Sequence, residues 1–576
     1  MKFWKSKKQY YHEIAPDEIL LDARNLPQFN TQQMEGRIEQ PIPHRAINIV
    51  FIVAFAFGLG GIVRLGYLQI SKGDYFATRS EKNSFESVPI FADRGLITDR
   101  NGVNLAWNEK LKEGEAFSKR IYTEQGGYAH LLGYVGYPKK DASGNYWQTQ
   151  FTGKSGVEAY YAKQLEGTHG AKYFETDATG KVLSENITEE PVHGTDVVLS
   201  IDARVQTALY HGIEKLATDA GYTGGAGVIM NIHNGEVIAI TSYPEYDSNV
   251  MSLATDSEKI SHYFTDRRKV FINRAIAGRY TPGSIVKPYL ALAALNENII
   301  NPLKQILSTG QLVLPNPFDP TKNTVFKDNA AHGLVDMRKA IAVSSNVYFY
   351  EISGGYKDQK GLGIDRINQY AKDFGIGIKT GIDMDGELAG VVPSVEWKAK
   401  NFPKDPWRIG DTYHTSIGQY GFQVTPIQMV RAMAGIASRG TLVTPHIRLN
   451  ETNPELTKTE KLPFTDAQYQ VVHEALRIVI TTGTGESLNF PYLHVAGKSG
   501  TAQTDISKRR VNSWITGFFP YEKPEYAFVV LMDDGSGTAY IPASHAMRTT
   551  IEELYTTYPD FIMQKGINYT APVKPN

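Results

Sequence analysis

Charged and polar positions interrupt the apolar ones along almost all of this chain, and they cease to do so in one place. From Ala46 to Val63 no position is charged, and the run closes on Arg64-Leu65-Gly66-Tyr67-Leu68-Gln69-Ile70. About 20 apolar residues cross a bilayer as a helix, so the pattern predicts a membrane span over 46–70. A buried core helix is the alternative, but no amphipathic break interrupts the run. A cleaved leader fits less well, because the run starts far from Met1 and no small-residue cleavage site follows it. Lys2, Lys5, Lys7, Lys8 and Arg45 precede the span, so the positive-inside rule places 1–45 as a cytoplasmic tail and the residues after 70 outside.

From 71 to 195 the pattern gives short strand-like pieces and many turns. Arg94 to Leu105 reads as a hairpin with Asn101-Gly102 as its turn, and a helical stretch runs from Tyr160 to Leu165. Near Asp196 the pattern changes. Val197 to Ile201 alternates as a strand, and Asp202 caps a helix to about Leu216. Ala226–Ile232 and Val237–Ser242 flank His233-Asn234-Gly235-Glu236 as a second hairpin. Helical stretches fill the middle. Three strand signals then follow (Val495–Gln503, Trp514–Phe519, Tyr526–Met532), and a helix runs from about Ala543 to Tyr555. This order predicts an α+β domain, one antiparallel sheet with helices on its faces, over 196–565, and a loose tail over 566–576.

Composition narrows the function classes. A chain of 576 residues exceeds one core, so about three folded units are expected. With 60 basic and 61 acidic residues and no basic block, nucleic-acid binding is not expected. The absence of cysteine excludes disulfides, thiolate catalysis and cysteine-ligated zinc.

The candidate chemistry lies in Tyr280-Thr281-Pro282-Gly283-Ser284-Ile285-Val286-Lys287-Pro288. Thr-Pro-Gly reads as a turn, and Ile285 to Leu295 as the helix after it. A spacing of three places Ser284 and Lys287 on one face. A serine hydroxyl needs a base, and a lysine amine serves as one only where desolvation or nearby charge lowers its pKa. Two short signals follow in order, Ser344-Ser345-Asn346 and Lys498-Ser499-Gly500-Thr501. Each alone is weak. Ser-x-Asn recurs at Ser143, Ser184 and Ser487, and Lys-Ser-Gly recurs at Lys154. The ordered trio, on a helix and then on a strand of the right sheet, carries the signal.

That trio resembles the signature of penicillin-recognising serine acyl transferases. Residues 46 to about 560 resemble a class B penicillin-binding protein. The matching segments include Arg94-Gly95 through Asp99-Arg100-Asn101-Gly102, Asn273-Arg274-Ala275, Ser416-Ile417-Gly418-Gln419 and Thr425-Pro426-Ile427-Gln428-Met429. His130-Leu131-Leu132-Gly133-Tyr134-Val135-Gly136 favours the elongation type over the septal type. The resemblance implies a mostly-β pedestal over 71–195 and a transpeptidase domain with a five-stranded antiparallel sheet. It implies a peptidoglycan D,D-transpeptidase that crosslinks stem peptides through a serine acyl-enzyme and is acylated by β-lactams. Ser284 would attack the penultimate D-Ala carbonyl, with Lys287 as base. Ser344 and Asn346 would complete the proton relay, Lys498 would supply positive charge, and Ser499, Gly500 and Thr501 would bind the substrate. The backbone N–H groups of Ser284 and Thr501 would form the oxyanion hole. No cofactor or metal is implied. The implied partners are stem peptides, β-lactams, the membrane and a SEDS-type glycosyltransferase. A septal transpeptidase, a carboxypeptidase and a β-lactam sensor or wall scaffold without turnover remain the alternatives. A β-lactamase would need a deacylation device, and Glu486-Ser487-Leu488-Asn489 is one residue short of one such motif. His332 and His414 are read as surface or packing residues.

Overall fold

The computed structural model describes residues 43–76, 85–109, 115–176, 182–316, 319, 321–505, 507, 509–538 and 541–563. The expected cytoplasmic tail up to 42 and the expected loose tail over 566–576 lie outside the described residues. The chain divides into two units, Met1–Glu86 with Phe174–Ser184, and Ser87–Tyr173 with Glu185–Asn576.

The first unit contains the predicted span. Helix α1 (His44–Gly66) continues through one π-turn to Ser71, and none of its residues is buried. It is long and apolar enough to cross a bilayer. The backbone groups of a helix are satisfied within the segment, which makes such a helix compatible with a hydrocarbon environment.

The second unit begins with a small sheet. Strand β1 (Ile97–Thr98) pairs antiparallel with β2 (Asn104–Glu109), and β2 pairs with β3 (Lys119–Tyr122). The Asn101-Gly102 turn is present, with Gly102 at φ +83°. Asp99 closes it, accepting the N–H groups of Asn101 and Val103 at 2.8 Å each. The predicted Val197–Ile201 strand is shorter than its alternation suggests. Only β4 (Val197–Val198) is strand, and it joins β1 in parallel register in this small sheet. The chain then turns toward α2 (Ala203–Ala220), because Asp202 accepts the Arg204 N–H at 3.1 Å as the helix cap.

The large sheet is formed by both ends of the second half. Strands β5 (Gly224–Asn231) and β6 (Val237–Tyr243) come first in the chain. Strands β7 (Ala496–Gln503), β8 (Arg510–Phe519) and β9 (Tyr526–Ser536) come last. Their spatial order is β6-β5-β9-β8-β7, and every pair is antiparallel. Gly225 and Gly227 allow α2 to lie close, since a Cβ on either would sit under 3 Å from Ile213 or Leu209. Helix α8 (Ser544–Thr557) packs on α2, and α6 (Pro426–Ala437), buried at every residue, runs against β5, β8 and β9. Between the two groups of strands lie α3 (Lys287–Asn296), α4 (Met337–Ala342), α5 (Asn346–Gly354), α6 and α7 (Asp466–Thr482). The excursion of more than 250 residues between β6 and β7 therefore returns to the sheet edge, where β7 meets the turn before α3.

Candidate active site

The serine turn is a 3₁₀ segment, Gly283–Val286, running directly into α3. Three residues per 3₁₀ turn bring positions three apart onto one line, which tightens the predicted Ser284–Lys287 relationship. Pro288 sits in the first turn of α3, where its missing N–H has no helical partner to lose. Four contacts hold the turn. Tyr280 and Val424 exchange backbone hydrogen bonds at 2.9 Å each, the Gly283 N–H donates to the Gly418 carbonyl at 3.0 Å, and the Trp514 Nε1–H donates to the Thr281 carbonyl at 3.0 Å. Val424 is fixed in turn by a capping box on α6, in which Thr425 and Gln428 satisfy each other's N–H groups.

Gly283 (φ +60°) and Gly418 (φ +71°) both occupy left-handed backbone that an L side chain rarely adopts. A Cβ on Gly283 would lie 2.6 Å from the Thr501 carbonyl oxygen, and one on Gly418 would lie 2.2 Å from that of Gly283. Gly500 has the same tightness, 2.8 Å from the Ile285 side chain. Strand β7 and the 416–419 segment can press on the serine turn only because these positions lack side chains.

Lys287 is fully buried. Its Nζ donates to the Ser344 carbonyl at 2.7 Å, the Asn346 Oδ1 at 2.7 Å and the Ser344 hydroxyl at 3.3 Å. It also lies 5.5 Å from the Phe349 ring. Lys498, also fully buried, donates to the Ser344 hydroxyl at 3.0 Å and to the Ser499 carbonyl at 2.7 Å. Burial lowers Lys287 to about 7, opposed by the charge of Asp328. Burial, and then the like charge of Lys287, push Lys498 well below its ordinary value. Of the two causes that can lower a lysine, desolvation and nearby charge, loss of water is the one at work on Lys287.

Ser344 lies at φ +59° in the turn between α4 and α5. Ser345 is the N-cap of α5, so Asn346 begins that helix with its side chain toward Lys287. The serine turn, the 344–346 turn and β7 open onto one cleft of about 960 Å³. Its lining includes Ser284, Ser344, Asn346, Ser499, Gly500 and Thr501. Period-two alternation on β7 turns Lys498 inward, while Ser499 and Thr501 are accessible. The Ser499 and Thr484 hydroxyls are 2.6 Å apart. All eight predicted site residues therefore converge. His414 also lines the cleft; it is exposed, stacked on Tyr420 and 5.3 Å from the Phe326 ring, as a surface or packing residue would be. Glu486–Leu488 is a short 3₁₀ turn outside the cleft lining, with Ser487 bonded to Ser544 of α8 at 2.7 Å.

Sequence reasoning missed Asp328, which has no motif around it. It lies between a short strand and α4, sixteen positions before Ser344. It also left Trp514 without a role. No group of His, Asp or Glu suited to a metal ion is present among the described residues.

The chain resembles known proteins over most of its length. The profile described as penicillin binding protein transpeptidase domain matches residues 225–551, and that described as penicillin-binding protein dimerisation domain matches 113–199. A curated relative, the peptidoglycan D,D-transpeptidase MrdA of Acinetobacter baumannii, is 30% identical over 600 aligned residues, covering 87% of this chain and 86% of that protein. The solved complex between the penicillin-binding protein PBP2 and MreC from Helicobacter pylori contains a chain of TM-score 0.67 and 26% identity, with 82% of this chain and 99% of that one covered. A chain of a peptidoglycan synthase complex, solved for its coordination of polymerization and crosslinking, reaches TM-score 0.69 at 25% identity, with coverages of 89% and 98%.

Proposed function

This chain belongs to the penicillin-binding protein transpeptidase family, and from that membership and the site geometry we propose that it is an elongation-type peptidoglycan D,D-transpeptidase. The observation that carries the reading is the set Lys287–Ser344–Lys498, buried and hydrogen-bonded, behind an accessible Ser284.

In this reading the Ser284 hydroxyl attacks the carbonyl of the penultimate D-Ala of a stem peptide. Neutral Lys287 takes the hydroxyl proton, the C–N bond breaks, and the terminal D-Ala leaves with that proton on its amine. An amine of a second stem peptide then attacks the ester carbonyl. It surrenders its proton to Lys287, and Ser284 regains a proton as the new amide forms. Ser344 relays between the two lysines, and Asn346 orients the donor amide. Lys498 provides positive charge, while Ser499, Gly500 and Thr501 bind the substrate carboxylate end along β7. The N–H groups of Ser284 and Thr501 receive the developing oxyanion, a contact worth roughly 3–4 kcal/mol per donor. A β-lactam carbonyl enters the same path and leaves a persistent ester.

The same reading places 46–70 in the cytoplasmic membrane with residues after 70 outside, 71–195 as the pedestal and 196–565 as the catalytic domain. The apolar helix and the basic residues before it support this topology. A SEDS-type glycosyltransferase is the proposed partner. Its support is the likeness to a chain of a peptidoglycan synthase complex and the lack of any glycan-polymerising motif in the sequence.

The test uses the detergent-solubilised full chain. Fluorescent penicillin should attach to Ser284 alone, and the parent should crosslink lipid-linked glycan polymer. Label retained by Ser284→Ala, or acylation without crosslinking beside a competent polymerase, would refute the respective halves.

A further inference from the structure

The 344–346 turn is built around one carboxylate. The Asp328 side chain is fully buried and accepts five hydrogen bonds. They come from the N–H groups of Asn346 at 2.7 Å, Asn329 at 2.9 Å and Val347 at 3.0 Å, and from the hydroxyls of Ser345 at 2.8 Å and Ser308 at 2.9 Å. Two of these donors are the opening N–H groups of α5, which otherwise lack helical acceptors. The titratable groups facing this region are Lys287 from α3, Tyr350 from α5 and His332, whose Nε2 lies 3.9 Å from Asp328 Oδ1; Lys498 of β7 lies beyond Lys287, across the Ser344 hydroxyl. Asp328 is the carboxylate whose charge acts on Lys287.

We propose that Asp328 is a positioning residue for the serine chemistry: it fixes the turn that carries Ser344 and Asn346 against the Lys287 amine, and it sets a negative charge on that side of the amine. The proposal rests on the reading of Ser284 as nucleophile and Lys287 as base. Its two parts are separable. Oδ2 takes the Ser345, Ser308 and Val347 donors, so an amide at this place retains the Oδ1 contacts and gives up those. The loss of those contacts loosens the turn and slows the reaction at every pH. Loss of the charge instead destabilises the ammonium form of Lys287, so the amine stays neutral to lower pH.

The experiment is the rate of acylation by fluorescent penicillin against pH, on the detergent-solubilised full chain. The parent is compared with Asp328→Asn, Ser345→Ala and His332→Glu. For Asp328→Asn the midpoint of the acid limb should move to lower pH by about one unit or more, and the plateau should fall about 10- to 100-fold. Ser345→Ala keeps the carboxylate, so its plateau should fall with the midpoint in place. An unmoved midpoint in Asp328→Asn overturns the proposal. If that variant does not fold, His332→Glu decides the matter: a second carboxylate beside Asp328 should raise the midpoint, and an unmoved one overturns it equally. Failure of the underlying reading looks different, as label on a residue other than Ser284 in the parent.

Discussion

Lys287 and Lys498 donate to one and the same hydroxyl, that of Ser344, at 3.3 and 3.0 Å. Two buried ammonium groups around a single oxygen repel each other, so the neutral form of one favours the charged form of the other. The pair therefore shares its charge around the relay: burial disfavours the ammonium form of both, and that of Lys498 further through the charge of Lys287. The proposed mechanism requires Lys287 to be the one that is neutral when Ser284 attacks. Neither position alone specifies this; the strained Ser344 turn brings the two helices and the strand edge together.

The first consequence is a pH profile. A base must be neutral to act, and burial brings Lys287 to about 7. Acylation should be half-maximal near that pH and fall about tenfold per unit below it, because the neutral fraction falls so. The same depression has a stability sign. Between the folded value and the unfolded one, about 10.4, the unfolded chain binds the proton more tightly, so stability rises with pH across that interval. Stopped-flow acylation and thermal melts over one buffer series read both trends. A flat rate from about pH 5 to 8 would remove Lys287 as the base.

Lys287→Arg separates a base from a mere charge. Arginine keeps the positive charge but stays protonated, since its pKa exceeds about 12. Positioned proton transfer contributes about 10²- to 10⁴-fold, so acylation should slow by at least about 10²-fold with the melting curve retained. A variant within a few-fold of the parent would show that charge alone suffices.

These residues also show what a sequence conveys. Ser284 and Lys287 were legible because a turn residue set, a spacing of three and an apolar helix coincide within a few positions. The strands were legible where alternation or Asn-Gly turns mark them. Val197–Ile201 misled, because an alternating pattern says that a strand edge is available and says nothing of which sheet takes it. Asp328 was invisible for a different reason. Its role arises from a chain reversal that sets it against Ser345 and Asn346, and nothing local announces a carboxylate that caps a helix beginning eighteen positions away. Which of desolvation and nearby charge lowers Lys287 was not legible either, since burial depends on the full enclosure of the amine and cannot be read from four residues.

Gly418→Ala tests the mechanical coupling between the 416–419 segment and the nucleophile. The added Cβ would meet the Gly283 carbonyl oxygen at 2.2 Å, backbone against backbone, at a φ of +71°. Neither side yields without moving the serine turn. A displacement of about 1 Å costs about 10²-fold in rate. Penicillin acylation should therefore fall by about that factor, while the thermal midpoint falls only modestly. Acylation at the parental rate would mean that the turn is held by the Val424 and Trp514 contacts alone.

The last prediction concerns Glu158, far from the cleft in sequence. Arg94 donates to its Oε2 at 2.5 Å and to its backbone carbonyl at 2.8 Å, and Arg120 donates to Oε1 at 2.7 Å. All three side chains are at most 2% exposed. Burial works to raise the Glu158 carboxyl, and the Arg120 and Arg94 guanidiniums overcome it and hold the group below its usual range. A depressed carboxylate contributes stability above its unfolded pKa and loses it as pH falls through the folded value. The region around this triad should therefore weaken in acid, below about pH 4. Glu158→Gln removes the charge and leaves two buried guanidiniums facing each other. Breaking a buried ion pair from one side typically costs about 3–5 kcal/mol. Denaturant unfolding of the full chain in detergent should show a loss of that size for the transition that includes this triad. Penicillin acylation of the molecules still folded should continue at close to the parental rate, since no part of this triad lines the cleft. A loss below about 1 kcal/mol, the range of a surface pair, would mean that the triad is hydrated in solution.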